Sequence, residues 1–309
     1  LEQKQILAQY RGWGGLSKVF DEREGGIVRE WRAALRKALT EEEYDAASAS
    51  TLSAHYTSPQ IIRSMWEAVG KFGFTGGKVL EPSMGVGHFF GLMPSEFAEN
   101  SDLTGIELDS ITGRIAKQLY QNANIQNVGF EKAVLPPEFD LVIGNVPFGK
   151  STLVDKSGDE SLKGLRLKGA GGTSRRAMMI HNFFFAKSLM KTRPGGLMVM
   201  LSSTGTLDSN RDRHIDFMKE NGADLVGAVR LPQDAFKENA NTGVTADILV
   251  FQKRREEAEE GGQKWGETTE YDTADGHGSV VASTYWEGNG KGLVGEIIHS
   301  KMRGQDSRR

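Results

Sequence analysis

Residues 139–149 read Phe-Asp-Leu-Val-Ile-Gly-Asn-Val-Pro-Phe-Gly, and this stretch decides the fold. Its first half is a short apolar run that predicts a buried strand, and its second half is a proline-containing turn. The turn places Asn145 and Phe148 directly after the strand, where neither residue has an obvious folding role. A plain β-turn with a packed phenylalanine is the alternative interpretation. In parallel sheets, ligands bind beyond the carboxyl ends of such strands.

The same alternation of short apolar runs and helical patterns extends from residue 55 to residue 254. Strands are predicted over 78–80, 103–106, 139–143, 196–201, 225–229 and 248–251, and helices over 58–69, 110–122 and 182–190. This alternation predicts an α/β fold, with a mainly parallel twisted sheet and helices on both faces.

The two ends of the chain differ from this central domain. Residues 1–54 show helical spacing, interrupted at 12–15, with a capping start at Thr40. They predict a helical extension that packs on the main domain. Residues 255–309 are rich in glycine and acids, and 256–278 hold eight acids against one lysine, which predicts a solvated linker. For 285–298, a small hairpin and an adhesive tail both remain open.

Composition narrows the chemistry. The 309 residues contain 38 glycines and no cysteine, which excludes disulfides, thiolate metal sites and thiolate nucleophiles. The six histidines show no metal-ligand spacing, so no catalytic metal is expected. No apolar run approaches the ~18 residues of a membrane span, and no signal-peptide pattern opens the chain. We therefore expect a cytoplasmic protein with no membrane partner. The first residue is leucine, which suggests a piece of a larger parent.

Two acidic strand ends point to a cofactor. The stretch 79–90, Val-Leu-Glu-Pro-Ser-Met-Gly-Val-Gly-His-Phe-Phe, ends a strand in Glu81 and turns at Gly85 and Gly87, where the backbone can approach a ligand. Glu107 follows 26 residues later, at the tip of the second strand, where a carboxylate typically accepts a ribose diol. The turn lacks the full Gly-x-Gly-x-x-Gly pattern. An adenosine cofactor without a pyrophosphate fits, and a purely structural turn is the alternative.

A basic segment follows the proline turn. The net charge of the chain is −3, yet residues 151–176 carry six basic and three acidic residues with five glycines. A polar stretch of this length is normally a functional or flexible loop. Positive charge beside a site favours phosphate contacts, and a solvated surface loop is the alternative.

With these residues in place, the chain resembles the amino-group DNA methyltransferases that use S-adenosylmethionine, whose hallmark is Asn-Pro-Pro-Tyr/Phe. Here Val146 stands at the second position. The chain is still more similar to adenine methylases of phages and mobile elements, which are often fused to helicase domains and relate to restriction–modification. The shared motifs are 10–16 (Tyr-Arg-Gly-Trp-Gly-Gly-Leu), 54–59 (Ala-His-Tyr-Thr-Ser-Pro), 80–87, 193–196 (Arg-Pro-Gly-Gly), 205–208 (Gly-Thr-Leu-Asp) and 230–232 (Arg-Leu-Pro).

The resemblance implies a Rossmann-like class I methyltransferase domain over 55–254 and a role for each site residue. The Asn145 side chain and the Val146 carbonyl would accept the two N–H bonds of an adenine amine. Pro147 would stiffen the loop, and Phe148 would stack on a flipped-out base, with Phe236 on its other face or simply in the core. The implied cofactor residues are Tyr56, Thr57, Glu81, Pro82, Gly85, Gly87, Glu107, Leu108, Phe130 and Glu131. The implied DNA contacts are Lys150, Lys163, Arg166, Lys168, Arg175 and Arg176.

Other functions remain open at this point. Enzymes that methylate protein glutamine side chains or RNA adenine share the Asn-x-Pro-Tyr/Phe pattern. A non-catalytic DNA-binding or anti-restriction module with the same fold is a further alternative. The absence of cysteine excludes the cytosine-carbon methyltransferases, which need a thiolate to attack the ring.

Overall fold

The computed structural model describes most of the chain, and the statements below refer to those residues. They are residues 2–14, 16–51, 57–149, 151–165, 168–169, 172–173, 178–209, 213–232, 235, 245–274, 276, 278–288, 299–302 and 305–308.

The helices alternate with strands, as the sequence predicts. The helices are α1 (Glu2–Ala8), α2 (Ile27–Ala38), α3 (Glu41–Ser50), α4 (Pro59–Lys71), α5 (His88–Gly91), α6 (Ser95–Ala98), α7 (Ser110–Leu119), α8 (Ile180–Lys191), α9 (Arg213–Glu220) and α10 (Tyr285–Gly288). Short 3₁₀ helices span Ser17–Phe20, Glu160–Leu165 and Thr204–Thr206.

The strands, in chain order, complete the inventory. They are β1 (Gly77–Glu81), β2 (Ser101–Glu107), β3 (Asn124–Asn127), β4 (Phe139–Asn145), β5 (Thr152–Leu153), β6 (Lys168–Gly169), β7 (Gly172–Thr173), β8 (Met178–Met179), β9 (Thr192–Ser203), β10 (Ala223–Leu231), β11 (Ala246–Lys253), β12 (Thr268–Asp272), β13 (Ser279–Ser283), β14 (His299–Met302) and β15 (Gln305–Arg308).

Within the described residues, seven strands form the central sheet in the order β10-β11-β9-β4-β1-β2-β3. The pairs β1–β2, β1–β4, β2–β3 and β4–β9 are parallel, and β11 runs antiparallel to both of its neighbours. This confirms the predicted α/β fold and all six predicted strands. The polar edge strand β3 is additional, and it escapes prediction because only Ile125 in it is buried.

Both faces of the sheet are covered. Along β4, Phe139 and Val142 belong to one buried cluster, whereas Leu141 and Ile143 belong to the other. Helix α8 covers the first face with Phe183, Phe185 and Leu189. Helix α4 covers the second face with Ile62, Met65, Trp66 and Val69. Since the central strands are apolar on both sides, the polar groups of the sheet are concentrated at its carboxyl edge.

The N-terminal extension packs on the domain beside α5 and α7. Helix α3 begins with a capping box between Thr40 and Glu43, as the sequence predicts. The Glu43 carboxylate also forms an ion pair with Arg114 of α7 at 2.6 Å. The extension therefore lies next to the carboxyl ends of β1 and β2, which precede α5 and α7.

The first part of the expected basic loop is anchored to the domain. Strand β5 pairs with β8, and Leu162 is buried. The fully buried Lys187 ammonium donates to the Asp155 carboxylate at 3.2 Å and to the Ala133 carbonyl at 2.9 Å. Lys191 pairs with Asp159. These buried ion pairs hold residues 151–165 against α8, which differs from the expected flexible loop.

The C-terminal region also differs from the expected linker. Trp265 is 6% exposed, and its ring packs on Phe251 with centroids 5.0 Å apart. The hairpin β12–β13 follows, and Trp286 in α10 is buried beneath the Arg230 guanidinium. The acidic composition hid these few aromatic anchors, because charged residues surround each of them in the sequence. A second hairpin, β14–β15, follows later in the chain.

Two further findings concern the described residues. None of their helices is long and apolar enough to cross a membrane. In the same part of the chain, no three His, Asp or Glu side chains lie together in a way that could hold a metal ion.

The packing of Trp265 yields a stability prediction. Replacing Trp265 with alanine removes a buried aromatic ring, so the free energy of unfolding should fall by about 3–5 kcal/mol. Urea unfolding measures this change. Val281→Ala, at a side chain that is 52% exposed, should change the value by less than about 0.5 kcal/mol. Equal effects of the two substitutions would show that residues 255–283 do not pack on the domain.

Candidate active site

A cavity of about 330 Å³ lies at the carboxyl ends of β1, β2 and β4. This is the position at which parallel α/β sheets bind ligands. It is lined by Gly12, Trp13, Ala49, Ser50, Thr57, Ile62, Glu81, Pro82, Ser83, Met84, Gly85, His88, Phe89, Ile106, Glu107, Leu108, Asp109, Thr112, Val128, Gly129, Phe130, Glu131, Asn145, Pro147, Ser151, Leu153, Ile180 and Phe184.

Glu81 ends β1 and is 1% exposed. Its Oε2 atom lies without a hydrogen-bond partner among the described residues. Burial raises the pKa of this carboxyl well above its usual value, and the nearby charge of Glu107 raises it further. A buried carboxyl with an unused oxygen is well suited to a cationic ligand group.

The glycine turn after β1 has two distinct glycines. Gly85 adopts φ +56°, lines the cavity and donates its backbone N–H to the Glu107 carboxylate at 2.8 Å. Gly87 adopts φ +86°, and a Cβ atom there would lie 2.4 Å from the Tyr120 ring. Gly87 does not belong to the cavity lining, so its absent side chain makes room for Tyr120 instead. Tyr120 donates its hydroxyl to the Gly87 carbonyl at 2.6 Å.

Glu107 ends β2 at the cavity wall. One carboxylate oxygen accepts from Gly85 N and the other accepts from Asp109 N at 2.7 Å. Burial raises the pKa of Glu107 to about 7, although the two backbone hydrogen bonds lower it. Each oxygen retains a further lone pair, so the carboxylate can still accept two hydroxyl groups.

The turn after β4 is held on both sides of one peptide bond. The Ser83 hydroxyl donates to the Asn145 carbonyl at 2.7 Å, and the Val146 N–H donates to the Leu201 carbonyl at 3.0 Å. Asn145 and Pro147 line the cavity, whereas the Val146 side chain is buried in the core. The aromatic ring of Phe148 is half-buried against both apolar clusters.

The residues predicted to flank an adenine ring lie on the opposite wall. Phe130 is buried, and its ring centroid is 4.8 Å from that of Phe184. The Glu131 carbonyl accepts from Lys156 N at 2.7 Å, which ties this wall to the anchored segment 151–165. Thr57, Pro82 and Leu108 also line the cavity, as predicted.

Several predicted residues lie elsewhere. Tyr56, Lys150, Arg166, Arg175, Arg176 and Phe236 fall outside the described residues. Lys163 and Lys168 lie in the backbone of the second 3₁₀ helix and of β6. Their roles stay predictions.

Sequence reasoning missed other residues of the site. Asp109 caps α7, and Ser83 fixes the Asn145 peptide. Trp13 enters from the N-terminal extension. The signals were the Asp-Ser start of a helical pattern and a tryptophan between glycines, but neither indicates a cavity without the three-dimensional arrangement.

Comparisons with known proteins followed from this geometry. No protein-family model matches the sequence. The chain is 28% identical over 262 residues, or 84% of its length, to the "Defense against restriction protein B" of Escherichia phage P1. It spans only 9% of that protein.

Among solved structures, the methyltransferase subunit of a type I restriction–modification system from Streptococcus thermophilus aligns with a TM-score of 0.50 and 18% identity. The alignment covers 74% of this chain and 53% of that one. A class I S-adenosylmethionine-dependent methyltransferase from Listeria monocytogenes gives a TM-score of 0.49 and 16% identity over 75% and 69% of the two chains. The chain has the Rossmann-like fold of the class I methyltransferases.

The raised pKa of Glu107 predicts a pH-dependent stability. Its folded value of about 7 exceeds the usual 4.5, so folding takes up a proton and stability falls as the pH rises through this interval. Between pH 5 and 8, the unliganded protein should lose about 2 kcal/mol more unfolding free energy than Glu107→Gln. Urea unfolding at both pH values measures this. Glu81 and Asp247 titrate in both proteins and cancel. An identical pH dependence in the two proteins would contradict the assignment.

Proposed function

We propose that this chain is an S-adenosylmethionine-dependent methyltransferase that acts on the exocyclic N6 amine of adenine in DNA. The observation that carries the proposal is one cavity with two acidic strand ends on one wall and the Asn145–Phe148 turn on another. A site of this kind brings a cationic nucleoside cofactor next to polar acceptors for an amine.

The donor set fits the cofactor. S-adenosylmethionine carries an ammonium and a sulfonium, a ribose diol and an adenine ring. The unpartnered Glu81 oxygen suits the ammonium. The remaining lone pairs of Glu107 suit the diol, and the apolar wall at Phe130 and Leu108 suits the ring. A bound cation would favour ionised Glu81 and Glu107, which are otherwise held toward their protonated forms. When bound, the cofactor supplies the methyl group for direct transfer to nitrogen.

The proposed acceptors of the amine come from the turn after β4. Because Ser83 occupies the Asn145 carbonyl, the two acceptors assigned to the amine are the Asn145 side-chain oxygen and the Val146 carbonyl. They would withdraw the nitrogen lone pair from the aromatic ring and stabilise the positive charge that develops during attack. Fixing the peptide on both sides preorganises these acceptors, and Pro147 limits the motion of the next residue.

DNA as substrate requires a base outside the helix. Extrusion costs a few kcal/mol, and stacking on Phe148, with Phe236 opposite, would return about 1–3 kcal/mol. Lys150, Lys163, Arg166, Lys168, Arg175 and Arg176 follow the turn in sequence and would contact phosphates. The names of the phage relative and the Streptococcus subunit, both linked to restriction, support DNA. A helicase domain in a longer parent is part of this proposal.

Methyl transfer to alternative substrates tests the function. The full chain is incubated with methyl-labelled S-adenosylmethionine and equal amounts of duplex DNA, single-stranded DNA, RNA or a mixture of translation factors. The product is digested and separated by mass. Labelled N6-methyladenine from DNA is expected. Label confined to protein glutamine, or to RNA, would overturn the assignment of DNA.

The phage relative also favours a second candidate, a non-catalytic module that opposes restriction by occupying DNA. Such a module would bind DNA and protect it from a restriction nuclease without transferring a label. Protection that persists in the absence of S-adenosylmethionine, with no labelled adenine, would support this candidate over the methyltransferase.

Removal of the catalytic amide yields a kinetic prediction. Asn145→Ala deletes one of the two amine acceptors, so kcat should fall by about 10²–10³-fold. Cofactor affinity should change by less than about threefold, since the other cofactor contacts are retained. Single-turnover label transfer and calorimetric titration separate the two quantities. Asn122→Ala, on an exposed turn, is the control. Unchanged transfer by Asn145→Ala would refute the mechanism.

Ser83 is a positioning residue for the same turn. Ser83→Ala removes the hydroxyl that fixes the Asn145 carbonyl, so kcat should fall by about tenfold. Ser83→Thr keeps the hydroxyl and should recover part of the rate. Ser95→Ala, at an exposed serine, is the matched control. A merely destabilised protein would instead show a lower melting temperature with an unchanged kcat for the folded fraction, which would contradict a positioning role.

A further inference from the structure

Part of the cavity wall comes from the N-terminal extension. Gly12 and Trp13 line the cavity from the loop after α1, and Ala49 and Ser50 line it from the end of α3. These residues precede β1 in the chain and lie outside the α/β domain. The cavity is therefore completed by a segment, residues 2–51, that the sheet and its covering helices do not include.

The indole of Trp13 is held in a defined position. Its Nε1 donates to the Asp109 carboxylate at 3.2 Å. The ring meets Phe20 edge-on at 6.0 Å, and Phe20 packs on Tyr44 at 5.0 Å. Gly12 adopts φ +60°, a conformation that favours glycine and turns the chain immediately before the indole. This aromatic stack belongs entirely to the extension.

Asp109 connects Trp13 to the predicted ribose site. Its carboxylate also accepts from the backbone of Ile111 and Thr112 at the start of α7. Its own backbone N–H donates to the Glu107 carboxylate at 2.7 Å. The indole is therefore separated from Glu107 by a single residue with hydrogen bonds to both.

The extension is attached to the domain mainly through polar contacts near solvent. Lys4 donates to the Leu119 carbonyl at 3.1 Å, and the His88 ring contacts the Ala8 carbonyl at 3.2 Å. Glu43 pairs with Arg114. Exposed contacts of this kind contribute little to stability. The extension can thus move away without breaking its own aromatic stack.

We infer that Trp13 is a cofactor-contacting residue and that residues 2–51 close over the bound cofactor, so that release requires the Trp13–Asp109 contact to open. This rests on the proposed use of S-adenosylmethionine. It assigns the extension to the cofactor site rather than to DNA recognition. The closed wall would shield the ribose end from water and retain the cofactor while DNA is engaged.

Tryptophan fluorescence with the reaction product as probe tests the inference. The full chain is titrated with S-adenosylhomocysteine by calorimetry and mixed with it in a stopped-flow instrument. The variants are Trp13→Phe and Trp31→Phe. Trp31 lies on the same extension, is 52% exposed and does not line the cavity.

The expected result separates the two tryptophans. Wild type and Trp31→Phe should show the same binding-induced change and the same dissociation rate. Trp13→Phe should lose most of the fluorescence change and release the probe about tenfold faster. Trp13→Phe that behaves as wild type in both respects would overturn the inference while leaving the proposed function intact.

Hydrogen exchange of the unaltered chain provides a second measurement that needs no variant. Amides in 2–51 should gain protection when S-adenosylhomocysteine binds, and an unchanged exchange pattern there would also overturn the inference. If calorimetry detects no binding to the wild-type chain, the proposed function fails, and the inference fails with it.

Discussion

Two carboxyl groups, those of Glu81 and Glu107, meet at the carboxyl edge of the sheet, and burial raises the pKa of both. Ionised together without a partner, they would be costly, because each lies in a poorly solvated site next to a like charge. The glycine turn supplies one N–H to Glu107, yet one oxygen of Glu81 stays unpartnered among the described residues. A cation is the group that resolves this constraint. The fold is thus arranged around a site for a positively charged nucleoside ligand.

The same edge of the sheet links that ligand site to the turn after β4. Ser83 belongs to the stretch that follows Glu81, and it holds the carbonyl of Asn145. Movement in the turn after β1 is therefore transmitted to the Asn145–Val146 peptide within two residues. On the far side, Leu201 of β9 accepts from Val146, so the peptide is suspended between two strands. A rigid peptide suits a site that must present acceptors to an amine without reorganisation.

Sequence reasoning reached the central domain because strand ends carry local signals. An apolar run followed by an acid or an asparagine indicates both a strand and its functional end, and ten of the predicted site residues line the cavity: Thr57, Glu81, Pro82, Gly85, Glu107, Leu108, Phe130, Glu131, Asn145 and Pro147. Contacts between distant segments carry no such signal. The Trp13–Asp109 bond joins residues 96 positions apart, and the packing of Trp265 depends on Phe251 being presented by β11. Composition alone suggested a linker where aromatic anchors pack.

A crystal structure of the full chain with S-adenosylhomocysteine tests the central claim most directly. The account predicts density for the ligand in the cavity, with its ammonium at the free oxygen of Glu81 and its ribose hydroxyls on Glu107. The thioether should then face Asn145. An empty cavity at saturating ligand, or a ligand with its adenine ring at Glu81, would contradict the account.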